Sequence, residues 1–170
     1  MSDKGEKRRS RGRVAVLGLV VALATLAGGA PVQAEPPATS FVTTAAFDYG
    51  QPFTPEKTWF SNGIIHWANA PFSAPMTGGP FAGGTVSIVS DGNFNLTTFE
   101  NTTRRTFVIV TPVGTWEGRY ADRVKDGVLS GRAVGKSSDG RILTLAYSAT
   151  GPFVGVVEIT YHATIIDPDG

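Results

Sequence analysis

The chain contains two histidines, His66 and His162, and no cysteine. Glu158 precedes His162 by four residues. On a strand such a pair shares one face at a separation of about 13 Å, too far for a direct hydrogen bond but near enough to line one cavity mouth. An acid and a base so placed would support proton transfer, which makes Glu158 and His162 the catalytic candidates. The same two side chains equally suit polar positions on a wetted face. Without cysteine there is no disulfide, thiolate metal site or cysteine nucleophile. Two histidines with no helical or hairpin-adjacent ligand spacing give no zinc site. Asp91, Asn93 and Asn95 open like a calcium loop, but Leu96 and Thr102 stand where glycine and glutamate are required. No metal and no cofactor are therefore expected. Gly78-Gly79 and Gly83-Gly84 lack the Lys-Ser/Thr of a phosphate cradle, and no serine sits in a nucleophile elbow.

Aromatic side chains are the other resource. Trp59, Phe60, Trp67, Phe72, Phe81, Trp116 and Tyr120 are many for a small domain. Core packing accounts for such a set, and so does an apolar pocket with a few polar groups. Trp116 and Tyr120 share a strand face with Gly118 between them, which leaves a recess. Trp67 adjoins His66. Trp116, Tyr120, Trp67 and His66 are therefore the ligand-binding candidates, for a small apolar molecule. Arg119 and Arg132 lie on hairpin partners and could pair with Glu117 or Asp122; exposed pairs contribute about 0–1 kcal/mol.

The elements that must position these residues are strands. Runs rich in Thr, Val, Ile, Phe, Tyr and Trp alternate with Gly, Pro, Asn and Asp. Strands are expected at Phe41–Asp48, Lys57–Ala68 with Asn62-Gly63 as a turn or bulge, Thr85–Ser90, Asn93–Phe99, Arg105–Thr111, Gly114–Val124, Val128–Gly135, Arg141–Thr150 and Phe153–Ile165. Pro71–Gly84, with three prolines and four glycines, reads as a loop. Asp91-Gly92 and Asp126-Gly127 read as hairpin turns, although Asp91-Gly92 would also suit a bulge within one long strand. Short turns make neighbouring strands antiparallel. An all-β, up-and-down antiparallel barrel of eight or nine strands follows, with a two-sheet sandwich as the alternative. A barrel closes its own edges without disulfides.

Lys4, Lys7, Arg8, Arg9, Arg11 and Arg13 precede an uncharged apolar run over Val14–Ala30, which leads to Val32 and Ala34. That order is a signal peptide, expected as a helix over residues 1–34, with a flexible leader over 35–40 and one domain over 41–170. The protein is therefore expected to be secreted or periplasmic, with no stable membrane insertion after cleavage. Removal of residues 1–34 leaves 9 basic and 12 acidic residues. With no basic excess, no nucleic-acid partner is expected.

Gly63-Ile64-Ile65-His66-Trp67-Ala68-Asn69-Ala70-Pro71-Phe72, Gly114-Thr115-Trp116-Glu117-Gly118-Arg119 and Ser130-Gly131-Arg132-Ala133-Val134-Gly135 carry a resemblance. Over Gly63–Leu145 the chain resembles an uncharacterised family of secreted bacterial β-barrel proteins. Its general plan is similar to calycin, allene-oxide-cyclase and dirigent barrels. The resemblance implies a barrel and supplies no catalytic residues. Three functions are open: a barrel that binds a small apolar ligand, a cell-surface structural or interaction module, and a cyclase- or isomerase-type enzyme.

Overall fold

The computed structural model describes residues 37–169, so the expected signal peptide lies outside the described residues. Nine strands follow one another: β1 (Ala38–Asp48), β2 (Lys57–Ser61), β3 (Ile64–Thr77), β4 (Thr85–Asn95), β5 (Asn101–Thr111), β6 (Gly114–Lys125), β7 (Val128–Ser137), β8 (Ile142–Thr150) and β9 (Val156–Ile166). Each pairs antiparallel with its sequence neighbour from β2 to β9, and β9 pairs with β1 along the whole of β1. β1 then meets β3 at Thr44–Thr77 and Ala45–Met76. The result is a closed eight-stranded antiparallel barrel with β2 as an extra strand on β3. The sandwich alternative is not what forms.

Tight turns set the meander. Asn62-Gly63 and Asp126-Gly127 both have positive φ at each residue, the geometry two-residue hairpin turns need. Three local expectations are corrected. Pro71–Gly84 is a connection only from Gly78 onward: β3 continues through both Pro71 and Pro75 to Thr77. Between Ala68 and Met76 the far edge of β3 has no partner strand among the described residues, and an unpaired edge tolerates proline. Asp91-Gly92 is not a hairpin turn, because β4 runs unbroken through it; the register shift lies in its partner, between Trp67 and Ala70. Ala38, Thr39 and Ser40, expected in the leader, belong to β1.

Alternation decides what enters the barrel. One inner row takes a residue from every barrel strand in register: Trp67, Gly92, Thr103, Asp122, Gly131, Tyr147, Tyr161 and Thr43. Below it lie Ile109, Trp116, Leu143 and Val86, all buried. Phe81, in a 3-10 turn at Gly79–Phe81, is fully buried against Trp116 and Phe41. Aromatic rings lie across inward-facing glycines on neighbouring strands. A Cβ at Gly92 would stand 2.3 Å from the Trp67 ring, at Gly131 2.4 Å from Tyr147, and at Gly135 2.7 Å from Phe107. Phe107 stands opposite Gly118, so the recess expected between Trp116 and Tyr120 is already filled.

Gly118 is the tightest position. A Cβ there would meet the Val134 carbonyl oxygen at 2.1 Å and Gly135 Cα at 2.5 Å. Both obstacles are backbone, so no rotamer change relieves them. Gly118→Ala is expected to lower stability by about 3 kcal/mol, the upper range for overpacking. Gly135→Ala is expected to cost less, because the Phe107 ring can shift. Urea denaturation of both variants checks the order; equal and small losses would contradict it.

Candidate functional site

Two constellations emerge, one on each side of the same wall. The inner one sets a few polar groups among apolar walls. All four tyrosines of the chain, Tyr49, Tyr120, Tyr147 and Tyr161, line one interior cavity together with Asp122. The cavity measures about 40 Å³, room for one or a few waters. An apolar ligand of ordinary size does not fit. Asp122 faces inward because it follows Tyr120 by two residues on β6. Its carboxylate accepts hydrogen bonds from Thr103 Oγ1 and from Tyr147 Oη, the latter at 3.2 Å. Tyr147 reaches it across Gly131, which stands between them in the ladder and has no side chain to obstruct the path. Tyr120 Oη is buried without a hydrogen-bond partner among the described residues.

Burial shifts these groups. It pushes the Asp122 carboxyl above the usual carboxylate range, against the lowering effect of the two hydroxyl donors. It pushes the phenols of Tyr49 and Tyr120 up to about 12, with the Asp122 charge adding to the rise. Tyr147 and Tyr161 are raised further, again chiefly by burial.

The outer constellation is a groove of about 490 Å³. It runs across the outside of the sheet from β2 to β6. Trp59 is 43% exposed, and its ring stacks on His66 at 5.1 Å with an interplanar angle of 10°. His66 stands opposite Trp59 in the ladder, and its Nε2 lies 3.0 Å from Ser61 Oγ. Lys57 Nζ lies 5.3 Å from the Trp59 ring centroid. Beyond this platform the groove is lined by Asn93, Thr102, Arg104 and Ala121, with Asp91 at its side. Asp91 accepts from the Asn69 backbone N–H and from Arg105 Nη1, each at 2.9 Å. Those bonds hold its carboxyl below the usual range. Trp67, Gly92, Thr103 and Asp122 also border the groove. Their side chains face the interior, so they contribute backbone floor.

The structure separates the residues singled out from the sequence. Trp116, Trp67 and Tyr120 are buried interior side chains. Trp67 packs over Gly92 and donates from Nε1 to Ser90 Oγ at 3.3 Å. Trp116 is covered by the Arg141 guanidinium, 5.3 Å from the ring centroid. Of the four, His66 and Trp67 border the groove, Trp67 with its side chain turned to the interior. Glu158 and His162 are exposed on the outer face of β9, away from the interior cavity and the groove. Asp122 turns inward and Arg119 and Arg132 outward, so neither arginine pairs with it. Trp59 and Asp122 were noted in the sequence without being placed in a site, and Tyr147 and Arg104 carried no signal there. Parity would have found Asp122, because Trp116, Gly118, Tyr120 and Asp122 fall on one face.

Comparison with family models, with curated proteins and with solved structures finds no match.

Two outcomes follow from the inner cluster. A raised native pKa means the folded state holds the Asp122 proton more tightly than the unfolded chain. The contribution of this group to stability therefore falls as pH rises from about 4, the unfolded value, through the native pKa. Asp122→Asn cannot ionise, so its stability is expected to gain on that of the wild type across this window. Denaturation of both proteins at pH 4 and pH 7 measures the double difference, and a difference independent of pH would contradict it. The second outcome concerns the phenols. No tyrosine is expected to ionise near pH 10 while the protein is folded. Tyrosinate absorbance should then appear only together with loss of the β-sheet circular dichroism signal.

Proposed function

We propose that the protein is an exported, non-catalytic binding module that holds a saccharide in the outer groove. The observation that carries this reading is the Trp59 platform. Trp59 is partly exposed, lines the groove and stacks on His66. The negative face of an aromatic ring attracts the partly positive C–H groups of a sugar ring, and the stacked partner limits the side-chain entropy lost on binding. Asn93 and Thr102 supply an amide and a hydroxyl beside the platform, and Arg104 supplies a charged donor. Such a mixture of one ring and several polar groups suits a hydroxylated ring better than a purely apolar ligand. The order of basic, apolar and small residues at the start of the chain supports export.

The filled interior moves the site from the lumen to the outside. A cavity of about 40 Å³ accommodates water, whereas the groove is an order of magnitude larger. Glu158 and His162 are exposed on β9 and line neither the interior cavity nor the groove.

Trp59 also supplies the measurement. Of the three tryptophans, Trp67 and Trp116 are buried, so ligand-dependent change in tryptophan emission reports on Trp59. Neutral oligosaccharides added to the purified protein are expected to change that emission saturably. Trp59→Ala should weaken binding by about tenfold, the value of one aromatic contact. The reading fails if no saccharide gives a saturable signal, or if Trp59→Ala binds as tightly as the wild type by calorimetry.

A further inference from the structure

The cations of this domain are not spread evenly. Of the nine basic residues after residue 34, seven fall between Arg104 and Lys136, on β5, β6 and β7. The ladder gathers four of them. Ala121 on β6 stands opposite Arg104 on β5 and opposite Arg132 on β7. Arg119 and Arg123 lie two residues to either side of Ala121 on β6 itself, on the same face. All four arginines and Ala121 are exposed. The neighbours lie about 5 Å away across the ladder and about 7 Å away along the strand. Each arginine backbone is therefore within one Debye length of Ala121, about 8 Å at physiological salt.

The acidic residues nearby leave this charge largely uncompensated. Arg123 and Lys125 share Glu100, at 2.7 Å and 3.8 Å. Arg104 stands opposite Asp91, whose carboxylate is already engaged by Arg105. Glu117, two residues before Arg119, stands opposite Lys136. Arg104, Arg119 and Arg132 form no ion pair among the described residues. Like charges placed this close on one sheet face destabilise it, and an anion seated between them removes the repulsion. The small Ala121 side chain leaves the hollow in which it would sit. Arg104 and Ala121 also line the groove, so the hollow continues the proposed saccharide site.

We propose that the ligand of this groove is an acidic polysaccharide, with a carboxylate or sulfate group held over Ala121 by Arg104, Arg119, Arg123 and Arg132. This rests on the reading of the groove as a saccharide site. Guanidinium groups hold carboxylate and sulfate oxygens through paired, charge-assisted hydrogen bonds. The patch is local. Outside residues 104–136 the domain carries two basic residues, Lys57 and Arg141, against nine acidic ones after residue 34. A densely charged nucleic-acid backbone needs a basic stripe to track, and here it would leave the patch for a negative surface. A polysaccharide with widely spaced charges meets the patch with one group and the Trp59 platform with an uncharged ring.

The test compares one saccharide in two charge states. Oligogalacturonate and its methyl ester share the same rings and differ in the carboxylates. Binding of both to the full-length protein is measured by calorimetry at low and high salt, beside an oligothymidylate of similar length. The acid is expected to bind about tenfold more tightly than the ester at low salt, and salt should erase the difference. The double variant Arg119→Ala, Arg132→Ala should bind acid and ester alike, at the ester's affinity. The corresponding double lysine variant keeps the charge without the paired geometry, and should retain part of the preference. Trp59→Ala should weaken both ligands. Equal binding of acid and ester by the wild type, or an undiminished preference in the alanine double variant, overturns this proposal and leaves the saccharide reading standing. Binding of neither saccharide overturns both. Tighter binding of the oligothymidylate than of the acid replaces the polysaccharide with a nucleic acid.

Discussion

In a closed sheet each strand chooses its face once, and every second residue is then bound by that choice. The ladder between β6 and β7 shows how strongly the choice is held here. A slip of one residue in β6 would turn Trp116, Tyr120 and Asp122 outward and carry Glu117, Arg119 and Arg123 inward. Unpaired charges in an apolar interior cost several kcal/mol each, and the exposed Trp116 and Tyr120 would forfeit about 1.5–3 kcal/mol of burial apiece. Rings laid over glycines add a steric lock. Phe107 over Gly135, Tyr147 over Gly131 and Trp67 over Gly92 each fit only where the partner strand presents no Cβ. The register that fills the interior is the same one that assembles the outer face.

Filling the barrel has a polar consequence. Four tyrosines bring rings large enough to close the lumen, but each carries a hydroxyl that needs a partner when buried. Asp122 serves as an acceptor for Tyr147 and Thr103, and the water-sized cavity beside it is where the remaining phenols face. Burial raises the pKa of a carboxyl in this setting, and the two hydroxyl donors oppose the rise. An apolar residue at this position would orphan two hydroxyl groups. The small space left in the lumen is thus what packing tyrosines around a carboxylate leaves behind, and its volume suits water.

The barrel was legible from the sequence because the strands alternate and most turns carry their own signals. Asn62-Gly63 and Asp126-Gly127 form the turns their residue types require. Asp91-Gly92 carries the same signal and is a strand interior, since Gly92 is there to admit the Trp67 ring, a contact between distant residues that no local pattern contains. Pro71 and Pro75 misled for a related reason: their tolerance depends on β3 having an unpaired edge, which is a property of how the barrel closes. Trp116 and Tyr120 read equally as core or pocket, and Phe107, from another strand, decided for core. The arginine cluster was hidden by averaging. A formal net charge cannot show that seven of nine cations share three strands, nor that Ala121 stands in register with two of them.

Why the groove lies on β2 to β6 follows from where the barrel wall is incomplete. β3 pairs with β1 only near its end, at Met76 and Thr77. Its first half extends past the closed wall, carries the register shift at Trp67–Ala70, and pairs with β2 instead. Trp59 and His66 therefore stand on a two-stranded extension backed by the Phe53 and Trp67 rings, which meet edge to face at 5.5 Å. β4 and β5 continue from this extension into the closed barrel, bringing Asn93, Thr102 and Arg104 into the same groove as Trp59. β6 completes the sequence with Ala121. The outer residues of β6 are free to be arginines because its inner residues, Trp116, Tyr120 and Asp122, already hold the strand in place. Stability is supplied by one face of β6, and the other face is left to carry repulsive charge that a ligand can neutralise.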